Sequence, residues 1–471
     1  MRKYFEAEKL QFCVLYRQFL LRVVDLEALS TQADVIKLLG QFAAILVALS
    51  LIYAIEAFVF EGSRMTAAAH LAFCWRMEHF LIATTMLVVG LFALLSWDST
   101  FPDRRDVMVL APLPVRARTL FFAKVAALGT TLSLPVLVLN VASGLAWPLV
   151  LAPSGLFGIF RSLAAYWITM FAAATFLFCS ILSVQGVTAQ LLPRRYFLRL
   201  SAFLQLTTFA LFLGVYFLQP AMATPKALTA LENQRLLAWL PSYWFLGLFQ
   251  GLNGSTVPVF LSLERRAWIA LAIAVFGAGA ALLLAYFRTL RKIVEEPDIV
   301  PSTQGVHWSP RFGASLQTAI VLFSIRSLLR SRQHRVVLAF YLGIGFAIAL
   351  SCLKIPAARQ YLLSAPLYSV SLRFLISTIV MMSFSVAGIR VAFSLPISLP
   401  ASWIFRITEI RRPPAYLVAT RRSLLILAVA PVLAGSAVLS LLFHPWPQAA
   451  VHLLVLGLIG IIFAELSLLG F

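Results

Sequence analysis

Charge is scarce in this chain, and acid scarcest. Of 471 residues only 12% are charged, 18 Asp and Glu against 38 Lys and Arg. Soluble domains carry about 25%. The length alone would allow two or three soluble domains, but so little charge cannot furnish their water-facing surfaces. Cysteine is nearly absent as well. Cys13, Cys74, Cys179 and Cys352 lie far apart, with no CxxC and no histidine at ligand spacing, which excludes a disulfide framework and a zinc site. No HExxH occurs, and no Gly-x-x-x-x-Gly-Lys-Ser/Thr phosphate loop. The N-terminus, MRKYFEAEKLQF, lacks the pattern of a cleaved signal peptide.

What abounds is apolar sequence: 61% hydrophobic residues and a mean hydropathy of +0.92. A helix crosses the bilayer core with about 20 mostly apolar residues. Ten such runs are expected, at roughly 38–60, 79–97, 119–148, 162–184, 199–219, 267–287, 336–354, 367–391, 423–443 and 449–469. The third is long for one span and carries Pro135, so a tilt or a kink is expected. Of the 38 basic residues, 27 fall in alternate loops with the N-terminus inside and nine on the other side, so both termini are expected in the cytoplasm. The excess of positive charge thus reads as topology and contact with anionic lipid, not nucleic-acid binding.

Two stretches have amphipathic periodicity and are expected to lie on the membrane surface. In the first, Phe12, Leu15, Tyr16, Phe19, Val23 and Leu26 share a face opposite Gln11, Gln18, Arg22 and Asp25. In the second, 312–333, Leu316, Ala319, Ile320 and Phe323 form the apolar side. Each precedes two spans, a basic Pro-containing loop and two further spans, which suggests a duplicated unit of the kind common in transporters. The expected fold class is therefore an all-α integral membrane protein. A first unit at 1–290 holds a surface helix and six spans; a cytoplasmic linker follows at 291–311; a second unit at 312–471 holds a surface helix and four spans. Either the second unit lacks two helices or the gene product is longer.

The loop at 98–124 carries a charged knot, Asp103, Arg104, Arg105 and Asp106, then Leu110–Pro114, Arg116, Arg118 and Lys124. Prolines at 112 and 114 stop any helix. A short helix between charged ends suits docking of a soluble partner; the alternative is a loop whose arginines anchor helix ends in lipid phosphates. This tract resembles that of membrane subunits of type-2 ATP-binding-cassette (ABC) transporters. The resemblance covers the first unit, extends more loosely to 400–422, and implies several expectations. The surface helix precedes the first span, as here. The loop contacts a separate ATPase, present in two copies, through Asp103, Arg104, Arg105, Asp106 and Arg116. A short extracellular re-entrant helix lies between spans five and six, where LPSYWFLGLFQGLNG (240–254) stands. The chain would then be the permease of an exporter in a bacterial-type inner membrane, with no catalytic residue, metal or cofactor of its own.

An ion-coupled secondary transporter and, more remotely, a polytopic membrane enzyme are the alternatives. An ion-coupled carrier would bury a carboxylate at mid-membrane, and the sequence reading finds none. Glu56, Arg373 and Glu465 lie near span ends and are expected to snorkel, as is Lys124. Glu78–His79, His444 and His452 are expected in loops or at the interface, without metal or catalytic roles. Substrate-contacting residues are not identifiable.

Overall fold

A computed structural model describes residues 2–24, 35–61, 66–97, 115–151, 155–191, 204–205, 207–209, 211–217, 224, 227–228, 230–284, 311–353, 372–394 and 413–469. Among them every regular element is helical, and eight helices are long and apolar enough to cross a membrane. This is the make-up of an all-α membrane protein. Of the ten expected spans, 199–219 is described only in pieces, and 336–354 is a helix with a 17-residue apolar stretch, Val337–Leu353.

The chain divides into two compact units. The first comprises Met1–Leu26, Gln32–Gln205 and Gln219–Val300; the second comprises Glu27–Thr31, Leu206–Leu218 and Pro301–Phe471.

In the first unit α1 is Arg2–Val24, α2 Val35–Glu61, α3 Ala67–Leu95 and α4 Ala117–Asn140. Then come α5 Ser143–Val150, α6 Leu156–Leu191, α7 Gln234–Trp239, α8 Pro241–Leu252 and α9 Pro258–Leu284. α3 starts twelve residues before the expected span, its N-terminus capped by Thr66, whose Oγ1 accepts from Ala69 N at 3.4 Å. Its apolar window is 67% buried, against 22% for those of α2 and α9. α3 is therefore the central helix, while α2 and α9 present apolar side chains such as Ile52, Phe58, Ile273 and Phe276 outward, as a lipid-facing surface requires.

Pro135 lies inside α4, and the break comes later, at Val141–Ala142. The reason is a hydrogen-bonded alternative. Ser50 Oγ on α2 accepts from Ala142 N at 3.0 Å and Ser143 N at 3.1 Å, satisfying amides that the interrupted helix frees. Asn140 Nδ2 donates to Thr85 Oγ1 at 3.2 Å and Tyr166 OH donates to Asn140 Oδ1 at 2.7 Å. Together they form a buried polar seam joining α2, α3, α4 and α6.

The second unit contains α10 Ser315–Arg330, α11 Arg332–Leu353, α12 Leu372–Ser394 and α13 Pro413–Leu424. α13 runs through a π turn at Leu425–Val429 into α14, Ala430–Phe443, and α15 follows at Trp446–Leu468. The wide turn immediately precedes Pro431, which cannot donate to the carbonyl four residues back. Ser385 Oγ donates to Ala428 O at 3.0 Å beside it.

Both amphipathic helices pack on protein. α1 lies against α4, with Leu15 and Phe19 buried beside Ala123 and Ala127, and Tyr16 OH 2.9 Å from Thr130 Oγ1. α10 lies against α13, where Arg422 Nη1 donates to Phe312 O at 2.8 Å and Gln317 Oε1 at 2.5 Å. The buried side of α10 differs from expectation. Val321 and Leu328 are buried whereas Phe323 and Ala319 are exposed, because α13 covers the adjacent face.

Candidate functional site

Of the residues expected to dock an ATPase, Asp103, Arg104, Arg105 and Asp106 lie outside the described residues. Arg116 is described. It stands just before α4, and its Nη1 lies 3.4 Å from Glu8 Oε1 of α1; Thr119 Oγ1 donates to the same oxygen at 3.5 Å. Lys124, expected to snorkel, is 2% exposed, with Nζ 4.9 Å from the centre of the Phe19 ring. α1 covers it, and the aromatic face receives the ammonium.

The most organised polar site lies elsewhere, where α8 meets α3. α8 is the segment PSYWFLGLFQGL, opened by Pro241 at its first turn, where a missing amide costs nothing. It ends in a Schellman arrangement: Ser255 N donates to Gln250 O and Gly254 N to Gly251 O, both at 2.9 Å, with Gly254 at φ +85°. Chain reversal there turns α9 back along α8. Gly247 permits the close approach, since a Cβ on it would lie 2.9 Å from Glu264 N and 3.0 Å from Phe260 O. The Glu264 carboxylate covers Gly251, and Arg161 Nε of α6 donates to Leu252 O at 2.7 Å. Tyr243, Phe245, Leu246, Leu248 and Phe249 of α8 are all buried.

Against this hairpin α3 presents Glu78 and His79, 5% and 6% exposed. Gln250 Nε2 donates to Glu78 Oε2 at 2.5 Å. His79 Nε2 shares a hydrogen bond with Ser242 Oγ at 3.0 Å, and its ring stacks on Tyr243 at 3.9 Å between centroids. Ser242 and Gln250 are about 12 Å apart along α8 at 1.5 Å per residue, yet they meet consecutive residues of α3. α8 therefore crosses α3 instead of running beside it.

The sequence places Glu78 and His79 in a loop or at the interface; in the structure both are buried within a continuous helix, α3. Arg76 and Glu78 depress local hydropathy, so the apolar run seemed to begin at residue 79; in the structure Arg76 is exposed and Glu78 faces inward. The alternation of burial along one continuous helix was the missed signal. His452 is likewise buried, inside α15, with Nε2 3.4 Å from Thr378 Oγ1. Phe374 lies between His444 and His452, at 5.5 and 5.0 Å between ring centres. Glu465 forms an ion pair with Arg421. Among the described residues no group of three or more His, Cys, Asp or Glu could hold a metal.

Compared with family models, curated proteins and solved structures, the chain matches none.

Proposed function

We propose that the chain is the transmembrane permease subunit of an ATP-driven transporter of the ABC type, an exporter whose ATP hydrolysis is supplied by two copies of a separate ATPase. In this reading both termini face the cytoplasm of a bacterial-type inner membrane, and Asp103, Arg104, Arg105, Asp106 and Arg116 belong to the docking loop. The observation that carries it is the seating of α1 on the first turns of α4, at Arg116, directly after the charged tract. Movement of a docked loop would there reach a packed pair of helices and not a free hinge. The short buried helix α8, between long apolar helices in the place where the resemblance expects a re-entrant element, supports the same reading.

The test is purification of the chain from its native membrane in mild detergent. A co-purifying protein with a phosphate-loop motif, lost on Arg104→Glu with Arg105→Glu, is the expected result. A chain that emerges alone and moves solute without ATP refutes the proposal. One observation favours a second reading, ion-coupled secondary transport: Glu78 is a buried carboxylate within a helix long and apolar enough to span.

A further inference from the structure

We propose that Glu78 is a proton-binding site: its protonated form holds α8 docked on α3, and its ionisation opens that contact to water. The proposal needs only that α3 spans the membrane and is independent of how transport is driven. An ionised carboxylate inside a span requires a cation or several hydrogen-bond donors. Glu78 has one neutral donor, Gln250 Nε2, and among the described residues no basic side chain is paired with it.

The surrounding ionisable groups do not supply the missing charge. On α3 itself Cys74 lies one turn before Glu78, and the ring nitrogen Nε2 of His79 is engaged by Ser242. Tyr243 of α8 is stacked on His79. From α6, Tyr166 donates to Asn140 and packs its ring on Phe249, while Arg161 is directed to Leu252 O and Gly254. Glu264 of α9 lies over Gly251 and is acidic, so it offers no counter-charge. A carboxylic acid avoids the whole difficulty, since it can both donate to and accept from the Gln250 amide.

Ionisation leaves water as the remaining source of donors, and α8 is the cover over the carboxyl group. Its ends suit a small displacement: Leu240 is extended at φ −103°, ψ 101°, and Gly254 occupies the left-handed region. The proton exchanges with bulk water as the contact opens and closes.

The test is amide hydrogen exchange of Pro241–Leu252 in the full chain, in lipid nanodiscs, from mildly acidic to mildly alkaline pH. Glu78→Gln keeps the partner amide but cannot ionise. The ratio of wild-type to variant exchange at each pH cancels the chemical pH dependence. That ratio is expected near one in acid and to rise by up to about tenfold per pH unit beyond the titration, the slope of a single linked proton. A flat ratio overturns the proposal. A rise that follows sodium concentration at fixed pH overturns it in favour of a cation site. Should the variant fail to fold, the infrared carbonyl band of a protonated carboxylic acid in the wild type serves instead. Its loss together with faster α8 exchange supports the site; its absence at every pH where the protein is folded refutes it.

Discussion

Two of the carboxylates carried into apolar helices, Glu78 in the first unit and Glu465 in the second, are accommodated in opposite ways. Glu78 of α3 is 5% exposed and meets a neutral amide. Glu465 of α15 stands three residues before the end of its helix, side chain 46% exposed, and pairs with Arg421. The second solution keeps charge where solvent or a counter-ion can reach it, and its net contribution is small. The first keeps a polar group where it constrains everything around it, because a buried partner left alone is costly. The difference assigns the second unit's carboxylate to anchoring a helix end and the first unit's to holding a particular arrangement of α3, α8 and α9.

The contrast breaks most completely if the cover over Glu78 is removed. Gly247→Leu would drive a side chain into the backbone of α9 at Phe260 and Glu264, which cannot yield as a flexible side chain would. Overpacking usually costs about 1–3 kcal/mol, and backbone obstruction belongs at or above the upper end. We expect little folded protein by size-exclusion chromatography. Gly279→Ala, on the same hairpin partner but with nothing within 4 Å, should behave as wild type. Equal tolerance of both would mean that α8 and α9 do not pack as described.

A second test asks whether Lys124, another buried ionisable residue of the first unit, depends on its cover as Glu78 does. Phe19→Ala removes the ring over Nζ and opens a gap between α1 and α4. Large-to-small changes of this kind cost about 3 kcal/mol. The expected outcome is a detached α1, read as faster protease cleavage between α1 and α2 with the remainder of the unit intact. Unchanged cleavage would show that α1 is held chiefly by lipid, as amphipathic periodicity alone suggests.

The helical architecture was legible in the sequence because apolar runs of span length have few other uses. Hydropathy resolves neighbours poorly, however. It registers Arg76 and Glu78 together as an interruption, although one points out and the other in, and so it shortened α3 and set Glu78 outside the span. It marks Pro135 as the residue type that bends a helix, but nothing in residue type marks the break after Asn140, where Ser50 from a distant helix offers an acceptor. Of the apolar face expected for α1, Leu15 and Phe19 are buried against α4, whereas Leu26 lies outside the described residues. In α10 two apolar faces competed, and contact with α13 decided for Val321 and Leu328. Tertiary partners thus decided each point that periodicity left ambiguous.

The polar seam offers a smaller effect that sharpens the comparison within the first unit. Ser50→Ala leaves the amides of Ala142 and Ser143 without their shared acceptor in a buried position. An unsatisfied buried donor costs about 1–3 kcal/mol, and the loss should appear as a lower midpoint of thermal unfolding in detergent. Ser50→Thr, which retains the oxygen, should recover most of it. Failure of the threonine variant to recover would point to space, not hydrogen bonding, as the function of residue 50.

The smallest effect is expected at the second carboxylate, and its smallness is the informative part. Arg421→Gln breaks the pair with Glu465, but side-chain exposures of 48% and 46% leave both groups open to solvent and salt. An exposed pair contributes at most about 1 kcal/mol, so unfolding should shift little and any shift should fade as salt rises. A large, salt-independent loss would mean that Glu465 is as enclosed as Glu78 and that the contrast between the units is false. A negligible loss at Arg421 beside a pH-dependent opening at Glu78 would place the chain's ionisable control in the first unit, at the crossing of α3 and α8.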